Sequence, residues 1–337
     1  MKNTPLILIL AIVASVSCTQ SGVDLHPSAD GIAPADTLAV ELPAIDSVMP
    51  SDIVLTKQIA FEDYTLDDVY PWRDTVRSFK WEVIKTRLAA VENAQLTDKR
   101  WGVLQNYKNR NRTAPLVRTW TRNNYGNITD SLGVERYQSV PLYAPGDTLQ
   151  PSLYGRDGTL VEVLSDDSTS VVVNDVFRGG TWTVPRRYVA MLADTVAFHH
   201  VIVVDRRDQN IATLTRTARA SWSVLSMNPA TTGMRNPPYA KATPLGYFVL
   251  QQKKERMIYL ADGSSAYGGF APYASRFTNG AYIHGVPVNA PGTEIIEWSW
   301  SLGTTPRSHM CVRNATSHAR FIYDTMPLLA TLVVVIE

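Results

Sequence analysis

The chain has 337 residues, of which 32 are Lys or Arg and 31 are Asp or Glu, so its formal net charge is +1. Nucleic-acid binding needs a clustered surplus of basic residues, and this balance does not indicate such a partner. Hydrophobic residues make up 45% of the chain, with 19 Gly and 20 Pro, which excludes collagen-like and wholly disordered proteins. The two cysteines, Cys18 and Cys311, are too few for a disulfide-dense scaffold or a cysteine-based zinc site.

The N-terminus predicts an exported protein. An almost unbroken apolar run from Leu6 to Val16 is shorter than the roughly 20 residues that span a bilayer and is typical of a signal peptide. Small residues lead from Ser15 to Cys18, which resembles a bacterial lipobox with Ser15 where leucine is usual. We predict a lipoprotein signal peptide over residues 1–18, lipidation of Cys18 and a lipid anchor in a membrane facing the periplasm. The alternative is a plain signal peptide in which Cys18 is incidental.

Composition divides the remainder into four predicted segments. Ser, Asp, Ala and Pro dominate the first, which is typical of a flexible tether. Apolar residues at helical spacing predict an amphipathic helix from Asp74 to about Asn93 in the second. Short strands separated by turns fill the third, whose Trp182–Pro185 ending resembles bacterial SH3-type modules, although an ordinary β subdomain fits as well. The predicted fold is mainly β (α+β), with a tether (19–60), a helical N-terminal region (61–134), an SH3-like β subdomain (135–195) and a β-rich domain (197–337).

The surroundings of Cys311 indicate a reactive thiol. His309 and Arg313 lie two residues to either side, and His284 lies upstream in a Tyr-Ile-His-Gly segment. A nearby histidine or positive charge lowers a thiol pKa from about 8.5 and favours the nucleophilic thiolate. In an extended backbone, the side chains of His309, Cys311 and Arg313 would point the same way. We therefore expect a lowered Cys311 pKa, and the alternative is an inert core cysteine beside a structural histidine.

Five ordered motifs resemble the YkuD-type L,D-transpeptidase family. The nucleophile motif is Ser-His-Met-Cys-Val-Arg at 308–313, preceded by Ile-His-Gly at 283–285. Upstream are an apolar strand at 201–205, Thr-Thr-Gly at 231–233 and Thr-Pro-Leu-Gly-Tyr-Phe at 243–248. The resemblance covers the predicted β-rich domain and implies an L,D-transpeptidase-like catalytic domain. Because every landmark lies inside it, we expect this domain to fold and react without the tether. The preceding part of the chain, from 61 to 190, resembles lipoprotein members from Bacteroidetes-like bacteria.

The resemblance implies roles for the residues around the thiol. Cys311 corresponds to the acylated nucleophile and His284 to the general base, with the Gly285 carbonyl fixing the histidine tautomer. The backbone N–H groups of Met310 and Cys311 correspond to the oxyanion hole. Met310 stands where the family has glycine, which implies either a strained backbone or a methionine side chain that narrows the acyl pocket.

The same resemblance places four further residues around the substrate. His309 is the motif histidine beside the nucleophile, and Arg313 holds the position that binds a substrate carboxylate or orients the site. Ser308 is expected to brace the loop at the substrate, and Tyr282 to lie in the core or to form part of the pocket wall.

The implied function is remodelling of peptidoglycan. The Cys311 thiol would be acylated by a donor tetrapeptide stem, with release of D-Ala. The acyl group would then pass to an amine to give a 3→3 cross-link. The acceptor remains open between a second stem, water, a free amino acid and a protein lysine. No metal or cofactor is implied, carbapenems are expected inhibitors, and the lipid is the expected membrane contact. The alternative is a non-catalytic peptidoglycan-binding lipoprotein in which Met310 has spoiled the oxyanion hole.

Overall fold

The computed structural model describes residues 46–337. The predicted signal peptide, Cys18 and the first part of the predicted tether lie outside the described residues. The described part is mainly β, as predicted, and none of its helices is long and apolar enough to cross a membrane. Its helices are α1 (Trp81–Ala94), α2 (Thr316–Thr325) and three short 3-10 helices at Pro50–Asp52, Tyr107–Asn109 and Arg186–Tyr188.

The strands of the described part are numbered in chain order. They are β1 (Val54–Lys57), β2 (Val69–Trp72), β3 (Thr75–Ser78), β4 (Trp101–Leu104), β5 (Trp120–Arg122), β6 (Ile128–Asp130), β7 (Ser139–Leu142), β8 (Leu153–Arg156), β9 (Leu160–Asp166), β10 (Ser170–Asp175), β11 (Thr181–Pro185), β12 (Val189–Met191), β13 (His200–Asp205), β14 (Asn210–Ala218), β15 (Ser221–Pro229), β16 (Gly246–Val249), β17 (Gln252–Leu260), β18 (Tyr267–Thr278), β19 (Ala281–His284), β20 (Val288–Asn289), β21 (Val312–Arg313) and β22 (Thr331–Ile336).

A six-stranded central sheet separates two hydrophobic cores. Its strand order is β1-β15-β14-β13-β22-β16, and β13 pairs antiparallel with β14 and parallel with β22. Val201 and Val203 of β13 pack into one core, and Ile202 and Val204 pack into the other. A strand covered on both faces has apolar residues without polar alternation. The buried strand predicted at 201–205 is confirmed.

The last part of the predicted tether belongs to the central sheet. Strand β1 pairs in parallel with β15 along its whole length, and the preceding Val48 and Ile53 are buried in the core beneath α1. The prediction of a flexible segment over 19–60 is therefore wrong for this stretch. Pairing with an existing sheet edge satisfies the backbone of a short, polar strand, and local composition does not reveal such pairing.

The predicted helix begins later than expected. Strands β2 and β3 form a hairpin whose two-residue turn is Arg73–Asp74, with Arg73 at a positive φ of 52°. Val76, predicted on the buried helical face, is 69% exposed in β3. Helix α1 starts at Trp81, so the predicted start at Asp74 is wrong, because the turn commits these residues to a hairpin.

A buried ion pair fastens α1 to the central sheet. The Glu92 carboxylate is 2% exposed and accepts hydrogen bonds from Nε and Nη2 of Arg216, both at 2.8 Å. Trp222 Nε1 donates a third hydrogen bond to Glu92 at 2.9 Å. Such a bidentate pair fixes the helix orientation as well as its position. Helix α1 therefore closes one of the two cores.

A second sheet precedes the central one in the chain. Its order is β11-β10-β9-β4-β12, so β4 lies between two strands of the predicted SH3-like subdomain. The sheet therefore recruits residues 101–104, and the predicted boundary at 135 is wrong. The region predicted as helical, 61–134, contains one α-helix and several strands. Long-range pairing of β4 was not detectable from local residue patterns.

A third sheet carries the predicted catalytic motifs. Its strands follow the order β17-β18-β19-β21, with β20 paired to β18. Helix α2 buries Ala319 and Ile322, the latter in the core between this sheet and the central sheet. The sequence analysis did not predict α2. The parallel pairing of β19 with β21 brings the His284 segment beside the segment that follows Cys311.

Candidate active site

The loop that carries Cys311 is held by the other predicted motifs. Ser308 Oγ donates to the Cys311 carbonyl, which closes the loop on itself. Thr243 Oγ1 donates to the Met310 carbonyl at 2.9 Å and accepts a hydrogen bond from the Gly233 N–H at 2.8 Å. The Thr-Thr-Gly and Thr-Pro motifs therefore frame the nucleophile loop, and the buried Ser308 braces it without reaching the cleft.

Gly233 is required by close approach of the backbone. A Cβ atom at this position would lie 2.3 Å from the Lys241 carbonyl oxygen and 2.7 Å from the Met310 Cα. Both neighbours are main-chain atoms that have no room to move away. A side chain at Gly233 would therefore displace the loop that carries Cys311.

The Cys311 thiol is half-buried and has a raised pKa. Loss of surrounding water raises the pKa, and the Tyr282 N–H and the Arg313 charge lower it to a smaller extent. The Sγ atom donates to the Gly280 carbonyl oxygen at 3.6 Å. The expectation of a lowered thiol pKa is wrong for this state, because desolvation outweighs the neighbouring charge. At neutral pH the resting group is a thiol.

His284 is buried opposite Arg313 in the parallel pair of strands. Its Nδ1 atom lies 2.6 Å from the Gly285 carbonyl oxygen, the partner predicted from the sequence. Burial lowers the pKa of His284 to about 4, the hydrogen bond to Gly285 opposes this shift, and the Arg313 charge adds to it. The ring is therefore neutral at pH 7. Since a carbonyl can only accept, Nδ1 carries the proton and Nε2 is left as an acceptor.

Gly285 allows the contact that orients His284. A Cβ atom at Gly285 would lie 2.6 Å from Thr316 Oγ1 and 2.9 Å from Pro272 Cγ. The Gly285 N–H donates to the Pro272 carbonyl oxygen at 2.9 Å, which holds the peptide group in place. The crowding and this hydrogen bond together fix the carbonyl that selects the histidine tautomer.

The N–H groups predicted to form an oxyanion hole are free to bind a ligand. Within the described part of the chain, neither the Met310 nor the Cys311 N–H has a hydrogen-bond acceptor. Met310 does not have a positive φ, so its backbone is not in the left-handed region. Its Cε lies 3.8 Å from the position of a Cβ on Gly280. The methionine therefore packs across the adjacent turn, and the strain considered for this position does not arise.

His309 pairs with a carboxylate and makes no hydrogen bond to the thiol within residues 46–337. Its Nε2 lies 2.9 Å from Asp262 Oδ2, in the turn between β17 and β18, and both side chains are about half exposed. The predicted common direction of His309 and Cys311 is wrong, because the chain bends at His309 and Met310 and is not extended there. Asp262 was missed by the sequence analysis, since an Asp-Gly turn far along the chain carries no signal of this contact.

Arg313 and Tyr282 are both close enough to Cys311 to act on its thiol. The Arg313 charge acts on both Cys311 and His284, and its Nε is buried without a hydrogen-bond partner within residues 46–337. Tyr282 is 2% exposed, and its hydroxyl lies 3.3 Å from that of Tyr107. Of the two expected positions for the Tyr282 side chain, the structure shows the core and not the pocket wall, and its N–H group is the part that contacts the thiol.

A cleft of about 1210 Å³ opens in front of Cys311. The catalytic segment contributes Cys311, Met310 and Gly280 to one wall. Residues from the region before residue 199 also line the cleft and include Arg156 at the end of β8 and Trp182 on β11. These wall residues were missed by the sequence analysis, because nothing in their local pattern points to a thiol more than 100 positions away.

A buried ion pair joins the two walls behind the cleft. Asp157, directly after β8, is fully buried, and its Oδ2 lies 2.6 Å from Arg276 Nη1 on β18. The same oxygen accepts the Asn279 N–H at 2.9 Å. Asn279 precedes Gly280, whose carbonyl accepts the thiol hydrogen bond. The connection between β8 and β9 thus positions the turn that contacts the Cys311 thiol.

Several solved structures are similar to this chain. An L,D-transpeptidase from Mycobacterium smegmatis is 18% identical, with 52% of this chain and 82% of that chain covered and a TM-score of 0.33. An L,D-transpeptidase from Mycobacterium tuberculosis H37Rv is 16% identical, with 54% and 92% covered and a TM-score of 0.34. A fused Zn-dependent amidase/peptidase/peptidoglycan-binding domain-containing protein from Clostridium acetobutylicum ATCC 824 is 19% identical, with 41% and 52% covered and a TM-score of 0.30. The chain thus spans about half the length of the Clostridium protein.

Similarities with TM-scores this low carry no argument about function, and no curated protein matches the sequence. The family assignment rests on a different comparison. Residues 199–335 match the family model of the YkuD L,D-transpeptidase catalytic domain. This confirms the resemblance carried by the sequence motifs, and the domain formed by residues 199–335 belongs to the YkuD family of L,D-transpeptidase catalytic domains.

Proposed function

We propose that this chain is a cysteine-dependent L,D-transpeptidase that acts on peptidoglycan stem peptides. Cys311 attacks the carbonyl at the L-centre of the diamino acid in a donor tetrapeptide, and the terminal D-Ala leaves. The resulting thioester is resolved by the amine of an acceptor, which gives a 3→3 cross-link when the acceptor is a second stem. Two acyl-transfer steps through a thioester replace one difficult step.

The first step begins from an uncharged pair. As the Cys311 sulfur forms its bond to the donor carbonyl carbon, its proton passes to Nε2 of His284, which becomes an imidazolium. The carbonyl oxygen takes the negative charge, and the free N–H groups of Met310 and Cys311 are the donors available to stabilise it. A neutral resting pair keeps the thiol from reacting until a substrate excludes water and fills the site.

The later steps return the proton. The tetrahedral intermediate collapses to the thioester as the C–N bond to D-Ala breaks, and His284 donates its proton to the departing amine. The acceptor amine then attacks the thioester carbon and loses a proton to neutral His284. When the second intermediate collapses, that proton returns to the Cys311 sulfur, and enzyme and charges are restored.

One observation carries this proposal. His284 lies on a strand paired with the strand that follows Cys311, and its Nδ1 contacts the Gly285 carbonyl at 2.6 Å. This contact leaves the other ring nitrogen as a proton acceptor in a neutral histidine. A buried structural histidine would have both nitrogens satisfied, as His318 has with Ser226 and Asn314.

The proposal is tested by product analysis on purified muropeptides. We expect the wild type to release D-Ala and to form 3→3 cross-linked dimers. Cys311→Ser should remove both products, and His284→Ala should slow their formation by about 10²- to 10⁴-fold. His199→Ala is the control, because it removes an exposed histidine that does not line the cleft. Cross-linking that survives in Cys311→Ser would contradict the proposal.

A second candidate function is a non-catalytic peptidoglycan-binding lipoprotein. The raised pKa of the Cys311 thiol favours it, because a thiol that stays protonated is a poor nucleophile. The unstrained backbone at Met310 and the unpaired N–H groups support the catalytic function instead. Binding of stem peptides without D-Ala release by the wild type would favour the second candidate.

We also propose that the protein is a lipoprotein of the cell envelope, anchored at Cys18 and facing the periplasm, and that carbapenems acylate Cys311. The apolar run before Cys18 supports the anchor, and membership of residues 199–335 in the family supports the inhibitor class. Cys18→Ala should leave the protein outside the membrane fraction. If this variant partitions into membranes as the wild type does, the anchor lies elsewhere.

A further inference from the structure

The cleft in front of Cys311 carries more positive than negative side chains. Five cationic groups face two acidic ones, apart from the half-exposed His309. The cationic residues are Arg156, Arg178, Arg206, Arg235 and Lys241, and the acidic residues are Glu135 and Asp175. This imbalance favours an anionic ligand.

Three of the five cations already have carboxylate partners. Arg178 lies 3.8 Å from Asp130, Arg206 lies 2.9 Å from Glu337, and Lys241 pairs with Glu135. Their charges are therefore largely compensated within the protein. The uncompensated charge belongs to Arg156 and to the exposed Arg235, which both line the cleft.

Arg156 is the more informative of these two residues, because it is half-buried whereas Arg235 is exposed. It ends β8, and within residues 46–337 its side chain has neither an ion-pair partner nor a hydrogen-bond acceptor. Glu135 and Asp130 act on it only from beyond ion-pair distance, and burial lowers its guanidinium pKa. A desolvated charge without a partner is costly, and a bound anion would offset that cost.

We propose that Arg156 binds a carboxylate of the acyl-donor peptide, and this inference rests on the proposed function. A guanidinium presents two parallel N–H donors that match a carboxylate, and Arg156 shares a cleft with the nucleophile. Arg156 lies outside residues 199–335, so the region before the catalytic domain selects the substrate. A stem peptide offers such a group at its C-terminus and at its free side-chain or α-carboxylates, each of which amidation removes.

The test separates binding from reaction. In full-length Cys311→Ala protein, which cannot be acylated, affinity is measured by calorimetry for a tetrapeptide with free carboxylates. Adding Arg156→Gln should weaken binding by about 10- to 100-fold, the range for a hydrogen bond between charged groups. Arg156→Lys should restore part of the loss. Arg118→Gln, an exposed arginine outside the cleft, is the matched control and should change affinity by less than about twofold.

Amidated peptides identify the carboxylate. One arm replaces the C-terminal carboxylate with an amide, and the other replaces the internal carboxylates with amides. The peptide that lacks the group bound by Arg156 should bind the Cys311→Ala protein as weakly as the free peptide binds the Arg156→Gln variant. It should be insensitive to Arg156→Gln. Equal affinity of both proteins for the free peptide, or an equal loss for every peptide, would overturn the inference.

The inference and the proposed function fail in different ways. If Arg156→Gln loses carboxylate-dependent binding but wild-type Cys311 is not acylated, the subsite is supported and the transpeptidase function is contradicted. If Arg156→Gln is acylated normally and binds the peptide normally, the transpeptidase function is supported and the subsite is contradicted. Cooperative thermal unfolding of Arg156→Gln, followed by circular dichroism, checks that the variant is folded.

Discussion

The family domain and the region before it supply different groups to the cleft. The third sheet supplies the groups that can react, Cys311 and His284, on strands that are paired with each other. The region before residue 199 supplies no reacting group, but Asp157, which follows β8, holds the turn next to the thiol, and Arg156 at the end of β8 lines the same cleft. The comparison teaches that the proposed chemistry rests on residues of the family domain, whereas support and charge come from the region before it.

The supports of the two regions also differ in character. The nucleophile loop is held by contacts within the family domain, such as Thr243 to Met310. The turn at Asn279 is held by Asp157, from the connection between β8 and β9, and Gly158 approaches it so closely that a Cβ there would lie 2.1 Å from the Phe277 carbonyl oxygen. The catalytic domain should therefore depend on the preceding region for stability.

Removing the preceding region should have the largest effect. A chain that starts at residue 199 loses β1, α1 and Asp157, which exposes the edge of β15 and one face of the central sheet. We expect no cooperative thermal unfolding by circular dichroism and no selective labelling of Cys311. The full-length protein is the control and should unfold in a cooperative transition. A stable, reactive 199–337 chain would show that the family domain is self-sufficient.

Breaking the ion pair between Asp157 and Arg276 should have the next largest effect. Asp157→Asn leaves the buried Arg276 without its charged partner, so we expect the free energy of unfolding to fall by about 3–5 kcal/mol in denaturant titrations. Arg276→Met should cost a similar amount, and the double variant should cost much less than the sum of the two. Strictly additive losses would mean that the two residues do not act as a pair. Arg118→Gln, at an exposed pair, should cost at most about 1 kcal/mol.

The thiol pKa tests whether the reacting groups rest in their neutral forms. In Cys18→Ala protein, the pH dependence of iodoacetamide alkylation should have a midpoint above the roughly 8.5 of a free thiol, because burial disfavours the thiolate. Arg313→Gln should move this midpoint further upward, since it removes a positive charge that favours the thiolate. The protein unfolded in denaturant provides the free-thiol value. A folded midpoint below that value would indicate a preformed thiolate–imidazolium pair.

Met310→Gly should have the smallest effect. The methionine backbone is not left-handed, so glycine relieves no strain, and only the side chain that packs over Gly280 is lost. We expect the acylation rate on the native stem peptide to change by less than about tenfold, or 1.4 kcal/mol, while a wider range of β-lactams is accepted. Single-turnover rates with several β-lactams provide the measurement. A gain of several orders of magnitude from almost no activity would mean that Met310 switches the site off.

The site could be predicted where neighbouring residues determine it, and not where distant segments meet. The motif around Cys311 and the strand at 201–205 are local patterns, and both led to the correct family and sheet position. The direction of His309 depended on a bend that the motif does not encode. The contact between Asp157 and Asn279 joins residues 122 positions apart. Arg156 becomes a candidate ligand-binding residue only because the fold places it in the same cleft as Cys311. Burial likewise reversed the expected shift of the thiol pKa, because desolvation depends on the packed structure.

Intact-mass spectrometry of the full-length protein with a purified tetrapeptide stem tests the central claim most directly. The account predicts a covalent adduct with the mass of the donor peptide without D-Ala. Peptide mapping should locate it on Cys311, and neither Cys311→Ala nor His284→Ala should accumulate it at the wild-type rate. An adduct on another residue, or no adduct under conditions in which the peptide demonstrably binds, would contradict Cys311 as the acylated nucleophile.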